Sequence, residues 1–196
     1  MTAFILLEAK MNVMLFTSPV IVLVLVALLV RKKRAEQKRQ QEVIEAFRAR
    51  NDFRSESELY WYVAREVVSR LGFSDCVIYR LDADKRICLQ AAASGPKAPA
   101  GNEIVNPIEI PFGRGIVGTV AMSGKTERLG NATDDPRYIP DDDVRCSELT
   151  VPVLLNGAPV AIIDSEEKPF DHFSARDQEL LEQVAAVLAE KLAKKV

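Results

Sequence analysis

The chain of 196 residues is poor in the side chains that build metal and redox centres: it has one histidine, His172, and three cysteines, Cys76, Cys88 and Cys146. No two cysteines stand in C-x-x-C spacing, which excludes a thiolate zinc site and a disulfide framework and suits a reducing compartment. His172 sits in a loop before the last helix and reads as a surface residue rather than a ligand. No internal repeat is present. A phosphate-cradling loop is missing as well, although GIVGTVAMSGKT (115–126) imitates one. Such a loop needs glycine, four residues, then Gly-Lys-Ser/Thr, so that successive N–H groups curl around the anion. Here five residues separate Gly118 from Gly124. Ile116, Val117, Val120 and Ala121 recur at helical spacing before Gly124, which therefore reads as the left-handed stop of a short helix.

What is there is an ordinary folded composition, 48% hydrophobic and 28% charged, with an uneven spread of charge. Residues 31–50 carry eight Lys or Arg against Glu36, Glu42 and Glu45, a net of +5, while 51–196 hold −7 of the overall −2. An acidic domain hangs from a basic stem, and nothing in that domain suggests a nucleic-acid surface. Ahead of the stem, 13–30 is an 18-residue stretch without a charge, ending VIVLVLVALLV. It is ~27 Å long as a helix, which predicts a transmembrane span. RKKR follows the run directly and no small-x-small cleavage site appears, so an uncleaved anchor is expected. The positive-inside rule then places the N-terminus outside and the rest in the cytoplasm, at the inner membrane of a bacterial cell. The expected organisation is a short segment 1–12, the span 13–30, a basic juxtamembrane helix 31–54 and a domain 55–196. Within the linker Val43–Phe47 is a single i,i+4 step, too short a seam for a coiled coil.

The domain reads as α+β. Ser55 and Glu58 form a capping-box pattern opening a helix that ends at Gly72. CVIYRLD (76–82) and ICLQAAAS (87–94) flank a turn, and IVNPIEIPF (104–112) is a third strand interrupted by Pro107 and Pro111. After the short helix 114–123 and a strand KTERL, the stretch 130–145 is a long loop of the length that tends to be functional. Asn156-Gly157 joins ELTVPVLL to APVAIIDS in a hairpin, since both residues tolerate the positive φ of a type I′ turn. VAIIDSEE closes as a strand end entering a loop. Ser174 and Asp177 cap a final amphipathic helix.

That order of elements resembles a GAF domain from about Glu56 to Lys195, through PFGRGIVGTVAMSGK, DDPRY, SELTVPVLLNG and FSARDQELLEQVA. The resemblance implies a six-stranded antiparallel sheet flanked by helices, and a pocket roofed by 112–146. In this family Gly115 and Gly118 serve close packing at the start of the short helix. The expected ligand contacts are Phe112, Arg114, Gly115, Tyr138, Glu148 and Asp164, of which Glu148 and Asp164 are the two that the resemblance implies. Arg114 and the helix N-terminus would face an anionic end, and Glu148 and Asp164 an amine, which suits a zwitterion. The rival role for Glu148 is to cap the 130–146 loop.

Similarity to the free methionine-(R)-sulfoxide reductase branch supplies the two acids but not its thiols. The cysteines of that branch would fall at Val117 and near Asp141, and the second acid of its D-x-D pair is Ile162 here. The expectation is therefore no enzyme, no cofactor and no metal. The Asn-Lys…Phe-x-x-x-Asp-Glu pattern of cyclic-nucleotide-binding members is only partly met by Lys168, Phe173 and Asp177. The 196 residues hold no kinase, cyclase or phosphodiesterase region, so the expected function is a sensory or regulatory module, homodimeric through its first and last helices and working with a separate output protein. The alternative is a structural adaptor whose pocket is closed by its own side chains, and an enzyme like the free methionine-(R)-sulfoxide reductases ranks third.

Overall fold

The computed structural model describes residues 18–140 and 144–194, and the chain divides into two units, one ending at Glu42 and one beginning at Val43. In the first unit the described residues from Pro19 on lie in α1 (Pro19–Ala49), whose last turns belong to the second unit. Its apolar part presents nine large side chains to the surroundings, among them Val20, Leu23 and Leu29, each about two-thirds exposed. Among the described residues no helix is long and apolar enough to cross a membrane. From Pro19 only twelve residues precede Arg31, ~18 Å of helix against a bilayer core of ~30 Å. The described helix thus gives the expected transmembrane span 13–30 no support. Positions 13–17 of that span, and the segment 1–12, lie outside the described residues.

The second unit begins earlier than the expected boundary at Ser55. Val43, Ile44 and Phe47 are buried in its core, with Ile44 and Phe47 fully enclosed. The i, i+1, i+4 spacing puts all three on one side of the last turns of α1. Lys191, near the end of the final helix, fixes that end by donating from Nζ to the carbonyls of Arg48 and Arg50 and to Asn51 Oδ1. A cation on carbonyls that have no partner within their own helix is a favourable C-terminal cap. Arg48 adds an ion pair to Glu190 at 2.9 Å.

α2 (Glu56–Tyr62) starts at Ser55, whose hydroxyl accepts from the Glu58 N–H at 3.0 Å. The Glu58 carboxylate reaches back to the Arg54 N–H rather than that of Ser55, so the capping box is only half made. The helix continues through a π-helical stretch, Val63–Val68, into α3 (Ser69–Leu71), and Gly72 closes it with φ +106°. Trp61 is a core residue, 8% exposed. Six strands follow: β1 (Cys76–Asp82), β2 (Ile87–Ser94), β3 (Glu109–Pro111), β4 (Glu127–Leu129), β5 (Ser147–Leu155) and β6 (Ala158–Glu167). They form one antiparallel sheet in the order β3-β2-β1-β6-β5-β4. The β5–β6 turn has Asn156 at φ +53° and Gly157 at φ +81°, as the Asn-Gly pair demands. β3 is shorter than the expected 104–112, because Pro107 lacks the N–H a ladder needs.

α5 (Ala175–Ala193) packs along β5, and its capping box is complete: Ser174 and Asp177 each bond the other's backbone N–H. α4 (Gly115–Ser123) covers the other face and ends at Gly124, φ +65°, as the spacing predicts. Gly118 is needed for close approach: a Cβ there would stand 2.3 Å from the Pro111 carbonyl oxygen.

Candidate functional site

Strand alternation builds the floor of the site. Glu148 pairs with Glu166, and Thr150 with Asp164, across β5 and β6. Directly opposed residues share a face, so Glu148, Thr150, Asp164 and Glu166 point to one side, while Leu149, Val151 and Ile163 point to the α5 side. On β4, Glu127 stands opposite Thr150, which adds a fourth acid to the same face. Tyr79, Ile108 and Ile110 form a wall, and the Gln90 side chain braces it by donating to Tyr79 Oη and accepting from the Ile108 N–H. Gly115, Ile116 and Val117 of α4 and Ile139 of the long loop form the roof. Counted out to bulk solvent the indentation is about 320 Å³, but its enclosed space is about 20 Å³, which decides occupancy: room for a single water.

The electrostatics are those of a cation-seeking site. Glu148 is 3% exposed and Asp164 5%. Burial first, and the Glu166 charge second, push the Glu148 carboxyl up to about 8, while the Thr150 hydroxyl acts in the opposite direction. That hydroxyl lies 3.0 Å from Glu148 Oε1 and 2.7 Å from Asp164 Oδ1. A threonine has one proton to give. If Thr150 donates it to Asp164 at the shorter distance, its contact with Glu148 is a hydrogen bond only when Glu148 is protonated and donates to the threonine oxygen. Geometry and burial therefore agree on a neutral Glu148 at pH 7. Arg137 of the roof is engaged elsewhere: its guanidinium makes paired bonds to Asp135 and Glu127, which raise its own pKa and, for Asp135, hold the carboxyl below the usual range.

Of the residues expected at the site, Gly115, Glu148 and Asp164 come together at this cavity. Arg114 does not: it is exposed, at the N-cap of α4, and supplies no cation inside. Phe112 is half-buried with the Arg86 guanidinium over its ring, 5.5 Å away, and lies outside the lining. Tyr138 stands behind the lining, where its Oη accepts from the Arg145 N–H. Burial, and the Glu166 and Glu148 charges, push its phenol up to about 12. The Glu148 carboxylate bonds Thr150, and among the described residues accepts no N–H of the 130–146 loop. Glu166 and Tyr79 were not foreseen; the alternation Asp164-Ser165-Glu166 carries the first.

Cys76 and Cys88 are buried thiols, Cys88 pushed up to about 12 by burial and Cys76 also raised, by burial and then the Asp164 charge. Cys146 is half-buried, two residues before Glu148. Val117 lines the cavity where a reductase thiol is expected, and Asp141 lies outside the described residues. Among the described residues no group of three or more His, Cys, Asp or Glu is placed to hold a metal ion.

Comparison with known proteins bears on this geometry. The chain is 34% identical over 86 residues to Protein YtsP of Bacillus subtilis (strain 168), covering 44% of this chain and 53% of that protein. It is 31% identical over 80 residues to the free methionine-R-sulfoxide reductase of Saccharomyces cerevisiae, covering 40% and 44%. The match thus spans about half the length of these curated relatives. The structure of the Neisseria meningitidis free methionine-R-sulfoxide reductase with its substrate superposes with a TM-score of 0.68 at 20% identity, covering 84% of this chain and 94% of that one. These reductases overturn the expectation that the chain is no enzyme. That expectation rested on two absent thiols, whereas curated and structural relatives of the chain are free methionine-R-sulfoxide reductases, at low identity and over part of their length. The model of the GAF domain matches residues 54–193, and with the sheet order above it shows that the chain belongs to the GAF domain family, in general a family of sensory and ligand-binding modules.

Proposed function

We propose that this domain binds a small molecule through a cationic amine, held over Glu148, Asp164 and Glu166, as a membrane-tethered regulatory module that acts with a separate output protein. The observation that carries the reading is the buried Glu148, which among the described residues has Thr150 alone as a hydrogen-bond partner. A buried carboxyl is costly as an anion unless a cation joins it. At the opposite side the first turn of α4 brings N–H groups that have no partner within their helix, a favourable place for a carboxylate. A free amino acid has both ends, and free methionine-R-sulfoxide, the compound in the names of the relatives, is one. Native mass spectrometry with that compound and with its N-acetyl derivative tests the reading. The free amine is expected to bind and the N-acetyl form, which has no amine charge, is not; equal binding of both, or of neither, contradicts it. Methionine released in the presence of dithiothreitol would add turnover to binding.

A closed adaptor is the second reading, favoured by the 20 Å³ of enclosed space. Against it, a pocket closed for good is stabilised by apolar filling, and this floor is acidic. Tethering rests on the sequence alone, on the uncharged run 13–30 and the RKKR that follows it. With the domain in the cytoplasm, a C-terminal reporter active only outside it stays silent; activity reverses the topology. Homodimerisation through α2 and α5 belongs to the same proposal, and a monomer mass for the whole chain in detergent contradicts it.

A further inference from the structure

The geometry points to Arg137 as a latch that holds Ile139 across the mouth of the acidic cavity. Arg137 spans two parts of the fold. Nη1 and Nη2 donate to the two carboxylate oxygens of Glu127 at 2.8 and 2.6 Å, and Nε and Nη2 to those of Asp135 at 2.9 and 2.8 Å. Glu127 belongs to the edge strand β4, on the face that carries the acids. Asp135 belongs to the long loop, following the 3₁₀ turn Ala132–Asp134. It also accepts the Arg137 N–H on its carboxylate and the Tyr138 N–H on its carbonyl, at 2.9 and 3.0 Å. One guanidinium therefore ties the roof to the sheet edge through a planar fork that a lysine would not reproduce.

Two residues beyond Arg137, Ile139 closes the cavity. A Cβ at Gly115 would stand 2.9 Å from Ile139 Cδ1 and 3.7 Å from the Arg137 carbonyl oxygen. Glycine at 115, with φ +66°, lets the loop descend onto α4, and the latch keeps it down. This is why so little space remains above acids that would attract a cation. A ligand larger than water has to lift the 135–139 segment, and Arg137 sets how readily it lifts. The inference rests on reading the cavity as a binding site for its purpose, but the latch itself is measurable without a ligand.

The test is amide hydrogen exchange on the whole chain, comparing the parent protein with Arg137→Gln and with Glu127→Gln. Exchange at Arg137 and Tyr138 is expected to quicken at least about tenfold in both variants, with the β5 amides of 149–151 and 153 unchanged, as local opening requires. Unchanged roof exchange overturns the latch, as does acceleration that includes β5 to the same extent, the mark of general destabilisation. With free methionine-R-sulfoxide as the probe, association is expected to be several-fold faster in Arg137→Gln. A faster roof without faster association overturns the gating role. If the probe does not bind the parent protein, the proposed ligand class fails while the exchange result still decides the latch.

Discussion

Glu148→Gln is expected to make the protein more stable in alkali, although it removes a buried, hydrogen-bonded side chain. The Glu148 carboxyl is pushed from an ordinary 4.5 up to about 8 in the folded state, by burial first and the Glu166 charge next. Between those values the folded chain holds a proton that the unfolded chain has released. Stability from this group is therefore fully present below about 4.5, falls as pH rises towards 8, and is flat beyond. At 1.36 kcal/mol per pH unit the loss amounts to about 5 kcal/mol. Glutamine keeps the shape, mimics the neutral acid and titrates nowhere. Urea midpoints at pH 5, 7 and 9 are expected to separate progressively, with the variant ahead at pH 9 and close to the parent at pH 5. A variant that is weaker at pH 9 would show that the ionised carboxylate is itself a structural partner.

Phe47→Ala is expected to cost about 3–5 kcal/mol, although Phe47 lies in a highly charged stretch that reads as a linker. Its ring is fully buried, 6.0 Å from the Tyr62 ring centroid, with Lys191 Nζ 5.2 Å above it. Removing it leaves a cavity beneath a lysine whose pKa burial already lowers. The same reasoning predicts that a fragment starting at residue 51 is much weaker than one starting at 43, since it loses Val43, Ile44 and Phe47 together. Denaturant unfolding reads both, and a change under about 1 kcal/mol for Phe47→Ala would mean that the end of α1 is not part of the folded unit.

The legible parts of the fold were those written in local chemistry. Asn156-Gly157 demanded its turn, Gly72 and Gly124 their helix ends, and Ser174 with Asp177 their cap, because each is decided within four residues. Val43, Ile44 and Phe47 form a stripe too short to show what it packs against; only the arrival of α2 and α5, which is tertiary, makes that one step part of a core. β3 illustrates the reverse: its alternation suggested nine residues, and one proline cut the ladder to three.

In the site, Glu148 and Asp164 followed from resemblance. Glu166 stands two residues on from Asp164, but an acid after an apolar run equally marks the way out of a strand. Arg114 was expected inside because it precedes a helix N-terminus. Its side chain turns to solvent while its carbonyl accepts the Gly118 N–H, and the backbone alone faces the roof. Arg137 lies in DDPRY, but its partner Glu127 is ten residues away and only the fold brings them together.

The central claim is that a cationic amine takes the place of the Glu148 proton. It is tested most directly by calorimetric titration with free methionine-R-sulfoxide at pH 7 in two buffers of different ionisation enthalpy. A carboxyl with a pKa near 8 is mostly protonated there, so binding is expected to release close to one proton per site. That release is expected to vanish in Glu148→Gln, with affinity reduced. Binding with no proton released, or binding unchanged in Glu148→Gln combined with Asp164→Asn, would contradict the account.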